Sequence, residues 1–227
     1  MIRPIPIVLV VEDILSEALM RRMLRHFPGK FQLRATLGKE GFGFIQKNMP
    51  AFNQAAATTG FVVLTDLDNQ ISPQALLQSW FSEPLHSNLI FQVAIREAEA
   101  WVFAHREALA EYLEVPIDAI PSDSETVVDP KKFVIELARE SDSEEIREAI
   151  VPGPGRRRKV GPDYNGCLLR FVYRKWEPEE ARKRSKSLHR ALLTLERYVF
   201  YPPEEDAVAS GIAEHDSPEG LSPFKRN

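Results

Sequence analysis

Two carboxylates one residue apart close the short apolar run Phe61-Val-Val-Leu-Thr-Asp66-Leu-Asp68. In an extended segment residues i and i+2 point the same way, so Asp66 and Asp68 can face one point. Hard oxygen donors converging in this manner suit Mg²⁺ or Mn²⁺, which take few protein carboxylates and keep waters that a phosphate displaces. A second acidic pair, Glu12-Asp13, closes the apolar run from Ile5 to Val11. If the two runs are neighbouring strands, three or four carboxylates meet at one edge. That is more acid than helix capping needs, although Asp13 also has the type and position of an N-cap. Glu97 and Glu99 follow a further apolar run and read either as a second metal position or as the acid-rich start of a helix.

The elements that must hold these acids are legible from periodicity. Ile5 to Val11, Phe61 to Thr65 and Leu89 to Ile95 have the length and composition of strands buried on both faces, while Phe31 to Thr36 alternates apolar and polar residues. Between them, Leu15, Leu19, Met23 and Phe27 mark a helix over 14–27, ended by Pro28-Gly29. A weaker helix is expected near 44–57, and Ser72-Pro73 opens another through Leu76, Leu77 and Trp80. Strands alternating with helices at this spacing predict an α/β, Rossmann-like, mostly parallel sheet flanked by helices. Ligands of such sheets bind beyond the carboxyl ends of the strands, where all these acids fall.

After Ile95 the pattern turns helical. The spacing predicts an unbroken helix over 96–115, others over 131–140, from Ser143, over 164–176 and over 187–200, with a loop at Pro152-Gly153-Pro154-Gly155. An α/β domain over 1–115, a helical extension over 116–200 packed on it and a flexible proline-containing tail over 201–227 are therefore expected.

Composition narrows the classes. The chain has 227 residues, 44% hydrophobic and 27% charged, which is ordinary for a globular protein. A single cysteine, Cys167, rules out an internal disulfide framework or a multi-cysteine zinc site, and the five histidines lack ligand spacing. The apolar amino terminus meets Glu12 too soon for a membrane span, so a soluble, cytoplasmic protein is expected. Charge is uneven: between Arg156 and Arg190, 12 Lys or Arg face 4 acids, in a chain whose net charge is −4. The block reads either as a solvated helical face or as a track for phosphate backbones, with Arg156, Arg157, Arg158, Lys159 and Lys186 as the nucleic-acid-binding candidates. Lys159 to Asn165 also mixes a base, an acid and an aromatic, a composition that suits a nucleic-acid contact. Ser185-Lys186-Ser187 has the types of a nucleophile and base, but a helix N-cap explains it more simply.

A glutamate closing the first strand, Val-Val-Glu12, and an Asp-x-Asp closing a later one, Leu-Thr-Asp66-Leu-Asp68, resemble the two motifs of the TOPRIM fold of topoisomerases, primases and OLD-family nucleases. The segment Arg96-Glu97-Ala-Glu99-Ala-Trp101 is similar to one in small TOPRIM-like proteins that accompany ATPases in bacterial defence operons. The resemblance covers about residues 5 to 101 and departs from the motif at Asp13, where a glycine is usual. It implies a Mg²⁺-dependent nuclease acting on DNA or RNA, with Glu12 as general acid/base and Asp66 and Asp68 on the metal. It also implies an ATPase partner in anti-phage defence and leaves a homodimer open. Val10-Val11-Glu12-Asp13 with Val63-Leu64-Thr65-Asp66 also resembles a response-regulator receiver, a phosphoacceptor in which an acidic pair binds Mg²⁺. That reading needs a lysine closing the last strand, and Ile95-Arg96-Glu97 stands there instead. A third reading is a TOPRIM fold that binds a partner and nucleic acid without cutting.

Overall fold

The structure, a computed structural model, describes residues 3–155 and 159–203. Four strands, β1 (Ile5–Val11), β2 (Phe31–Gly38), β3 (Gly60–Asp66) and β4 (Leu89–Ala94), form one sheet in the order β2-β1-β3-β4, with every pair parallel. Helices α1 (Ile14–Arg25), α2 (Phe42–Ala55) and α3 (Pro73–Trp80) make the crossovers. The chain is thus an α/β, Rossmann-like fold.

Pleating explains which helix goes where. Ile7, Leu9, Val11, Val62, Leu64 and Ile90 point to the face covered by α1, while Val10, Phe61, Val63 and Leu89 point to the face holding Ile45, Met49 and Phe52 of α2. Both faces being dry, β1 and β3 read as continuous apolar runs. The first crossover steps from β1 to β2 over one face and the second returns past β1 to β3 over the other. The strand order therefore reverses between β1 and β3, and their carboxyl ends flank the crevice where ligands of such folds bind.

The rest of the chain is helical: α4 (Glu99–Phe103), α5 (Arg106–Leu113), α6 (Pro130–Arg139), α7 (Glu144–Ile150), α8 (Tyr164–Arg174), α9 (Pro178–Ala181) and α10 (Lys186–Arg197). The unbroken helix expected over 96–115 is two helices. Ala98 through Ala104 are all buried, so α4 runs through the interior, and the chain breaks at His105, whose Nδ1 accepts the Glu177 N–H (3.1 Å). Helix propensity is high on both sides of that break, and tertiary packing decides where the chain turns. Trp101 and Trp176 tie this region together: Trp101 Nε1 donates to Ser187 Oγ (2.8 Å) and Trp176 Nε1 to the Trp101 carbonyl (2.9 Å). One continuous core joins β1 and α1 to α8 and α10. Of the tail expected over 201–227, residues 204–227 lie outside the described residues. Tyr201 at its start is anchored, its N–H on Asn88 Oδ1 (2.8 Å) and its carbonyl accepting Asn88 Nδ2 (2.7 Å). Among the described residues no helix is long and apolar enough to cross a membrane.

Candidate active site at the switch point of the sheet

Register brings the first two acidic motifs together. Val11 pairs with Leu64, so Glu12, one step beyond, stands opposite Thr65. Glu12 Oε1 accepts the Thr65 hydroxyl and the Asp66 backbone N–H (2.9 Å). Asp66 pairs with Ala94 at the end of β4, and its Oδ1 accepts the Ala98 N–H (2.9 Å) from the turn into α4. Asp13 begins α1 as its N-cap, with Oδ1 accepting the Ser16 N–H (2.8 Å). The capping role expected of Asp13 is thus present without removing its charge from the cluster.

Asp68 lies beyond the strand in a left-handed conformation (φ +50°), facing Arg96, which is also left-handed (φ +67°). The Asp68 N–H donates to the Arg96 carbonyl (2.8 Å), and Arg96 Nη1 reaches back to the Asp68 carbonyl (3.4 Å). Left-handed backbone at a residue with a side chain costs roughly 1–3 kcal/mol and persists where surrounding structure imposes it, commonly at functional sites. Here the two residues cross-link the turns that follow β3 and β4. Asp68 is exposed, unlike the half-buried Glu12 and Asp66.

Glu97 and Glu99 sit on the far side of that turn. Glu97 Oε2 accepts the Lys131 backbone N–H (2.8 Å) at the start of α6. Glu99 is 2% exposed; its Oε1 accepts the Tyr164 hydroxyl (3.1 Å) and lies 3.4 Å from Lys131 Nζ. The described contacts of Glu99 therefore lead to α6 and α8.

The electrostatics are those of a carboxylate cluster drawn out of water. Burial, and then the charges of Glu12, Glu99, Asp13 and Asp68, hold the Asp66 carboxyl well above the usual carboxylate range. Burial raises Glu12 as well; the Thr65 and Asp66 hydrogen bonds oppose that rise, and the Asp68 and Asp13 charges add to it. Glu99 is raised by burial against the pull of Lys131. Burial would lower the Lys131 ammonium, but Glu99, Glu97 and Asp13 outweigh it and raise the group. The Tyr164 hydroxyl is raised by burial and by Glu99, so it stays a donor.

Among the described residues no group of three or more His, Cys, Asp or Glu side chains is arranged to hold a metal ion. The donor chemistry nevertheless fits a hard divalent cation. Every candidate ligand is a carboxylate, and Asp66 Oδ2 and the Asp68 carboxylate accept no hydrogen bond from the described residues. Mg²⁺ needs only one or two such carboxylates and completes its shell with water and phosphate oxygens.

Sequence reasoning found Glu12, Asp66 and Asp68 because each stands at or just past the end of an apolar run. The extended i/i+2 alignment expected of Asp66 and Asp68 does not form, since β3 ends at Asp66 and the backbone turns left-handed at Asp68. Sequence reasoning missed Thr65, Lys131 and the role of Tyr164. Lys131 carries no local signal beyond following the Asp129-Pro130 cap. Tyr164, grouped with a nucleic-acid contact by composition, is 2% exposed and points at Glu99. Of the basic candidates, Arg156, Arg157 and Arg158 lie outside the described residues. Lys159 is exposed in the loop before α8, and Lys186 is exposed at the start of α10. Ser185 is the N-cap of α10, its Oγ accepting the Leu188 N–H (3.1 Å). No family model, curated protein or solved structure matches the chain.

Proposed function

We propose that this chain is a divalent-metal-dependent nuclease of TOPRIM type that hydrolyses phosphodiester bonds in DNA or RNA. The observation that carries the reading is the gathering of Glu12, Asp66 and Asp68 at the β1/β3 switch point, where burial and neighbouring charges raise the proton affinities of Glu12 and Asp66. Asp66 and Asp68 would hold Mg²⁺ or Mn²⁺, with Asp13, whose charge acts on Asp66, beside them, and Glu97 and Glu99 as the candidates for a second metal position. When bound, the metal supplies positive charge against the charge that develops on the phosphate. Glu12, with proton affinity raised toward the working pH, exchanges a proton with the attacking water or the leaving oxygen. Thr65 and the Asp66 N–H fix Glu12 Oε1 and leave Oε2 for that proton. Lys131 and Tyr164 hold Glu99, and through the Ala98 turn they keep the Asp66 carboxyl in place. The resemblance adds an ATPase partner and a role in anti-phage defence to the same proposal, and the composition adds a cytoplasmic setting.

The test is cleavage of end-labelled DNA and RNA with Mn²⁺ or Mg²⁺, with and without co-expressed ATPase partners. Cleavage should vanish in chelator and in Asp66→Asn and Asp68→Asn. Cleavage that persists in both variants would falsify the assignment. The receiver reading gains one observation, the Lys131 ammonium beside the acidic cluster, though it comes from α6 and pairs with Glu99. Alkali-labile, hydroxylamine-sensitive labelling by acetyl phosphate, lost in Asp66→Asn, would favour that reading instead.

A further inference from the structure

A groove of about 890 Å³ runs along α9 and the start of α10. Its walls carry Arg182, Lys183, Arg184, Lys186 and Arg190 against only two acids, Asp123 and Glu179. Both acids are already engaged, Glu179 with Arg182 (2.9 Å) and His26 (3.0 Å), and Asp123 by the Glu125 N–H (3.0 Å). Among the described residues Lys186 and Arg190 have no acidic partner, and they stand four residues apart on one face of α10. Arg184 places Nη2 on Glu107, while its Nη1 is buried with no hydrogen-bond partner among the described residues. A buried guanidinium nitrogen without an acceptor is costly, and an anion entering the groove would relieve it.

The start of α10, one wall of the groove, reaches the end of the sheet that carries the carboxylates. Ser187, one residue after Lys186, accepts the Ile95 N–H (3.4 Å) with its Oγ, at the carboxyl end of β4. Arg96 follows directly and bonds the Asp68 turn. We infer that the α9–α10 groove binds the sugar-phosphate backbone of the nucleic acid presented to the carboxylate cluster. Arg182, Arg184, Lys186 and Arg190 would contact successive phosphates without reading bases. This inference rests on the nuclease reading for the identity of its ligand, and it adds contacts at 182–190 to those expected at 156–159. A nucleic acid fits better than an acidic protein because the start of α10 reaches the strand end where the proposed chemistry acts on phosphodiesters, and because arginine forks match phosphate oxygens.

The experiment is fluorescence anisotropy of the full chain in EDTA with labelled 20-mers of single-stranded DNA, single-stranded RNA and duplex DNA between 50 and 200 mM KCl. Wild type is compared with Lys186→Gln/Arg190→Gln, both exposed positions, and with Lys47→Gln on the other face of the sheet as a control; thermal melts verify folding. The double variant should bind about tenfold more weakly at low salt, with a salt slope about 1.4 lower on single strands, as expected for two lost phosphate contacts. Lys47→Gln should match wild type. Unchanged affinity and slope in the double variant, no binding of any oligonucleotide by wild type, or preferential binding of polyglutamate would overturn the inference. Since EDTA removes any role for a metal, groove-dependent binding without cleavage in Mn²⁺ would count against the nuclease reading alone. Cleavage with groove-independent binding would count against the groove alone.

Discussion

The residue that best separates a working site from a decorative one is Glu12. Its Oε1 has a fixed job, accepting Thr65 and the Asp66 N–H, and a glutamine can do the same with its carbonyl oxygen. Glu12→Gln should therefore fold with an unchanged or higher melting temperature, since it removes a buried charge. Its cleavage rate should fall by roughly 10²–10⁴, the range for losing a general acid or base. Rate loss accompanied by a collapse of the melt would assign Glu12 to the fold instead. The raised carboxyls also set a sign for pH. Glu12, Asp66 and Glu99 bind protons more tightly folded than unfolded, so between the ordinary carboxylate range and their raised values the native chain holds the extra protons. Their contribution is greatest below that window and declines as pH rises through it. His105 works oppositely: burial lowers it, so it costs stability as pH falls below the ordinary histidine range. In chelator, the melting temperature of Asp66→Asn should fall less steeply with rising pH than that of wild type. Equal slopes would mean that Asp66 is not the group responsible.

At the scale of elements, the acids depend on turns that hold strand ends against helix starts. Gly38 closes β2 at φ +92°, and a Cβ there would overlap the Val11 carbonyl oxygen, directly before Glu12. Gly38→Ala should cost upwards of about 1–3 kcal/mol from backbone strain alone and disturb the end of β1, which a denaturant midpoint reads directly. Tyr164 is positioned by a similar device. Gly161 packs on the end of α7, its N–H on the Ile150 carbonyl (2.9 Å), and α8 starts three residues later with Tyr164 facing Glu99. Tyr164→Phe removes a donor from a buried carboxylate and should cost about 1–3 kcal/mol. Its melt should drop while Lys159→Gln in the adjoining exposed loop stays near wild type. The periodicity of α1, α6 and α10 was plain in the sequence because each has one dry face and a side-chain N-cap at Asp13, Asp129 or Ser185. The α4–α5 break was not, because a helix buried on all sides has no periodicity to read and its interruption at His105 answers to Glu177, 72 residues away.

For the whole molecule, one core spans from Ile7 of β1 to Leu195 of α10. Trp101 and Trp176, both 0% exposed, lie in it and bond across its halves. A chain cut after residue 115 would leave Trp101, Phe103 and the α1 face of the sheet without α8 and α10. We expect that piece not to fold, and the full chain to unfold in a single denaturant transition with coincident fluorescence and far-UV signals. Two separated transitions would show that the sheet and the later helices are independent. A bound metal should act on the same global equilibrium: Mg²⁺ at a hundred times its Kd would stabilise by about 2.7 kcal/mol, an increment that Asp66→Asn/Asp68→Asn should lack.

The sequence by itself determined the four strands, their parallel α/β arrangement and the acids that terminate them, because strand length, two-sided burial and chain reversal are local signals. It carried Glu12, Asp66 and Asp68 as one-dimensional facts. Tertiary structure decided that β1 and β3 are neighbours with Val11 opposite Leu64, which alone puts Glu12 on Asp66. It also decided that Lys131 and Tyr164 serve Glu99, and that Arg182, Arg184, Lys186 and Arg190 share one groove. Those relations join residues tens of positions apart, and no local period or spacing encodes a contact made only when distant helices close one core.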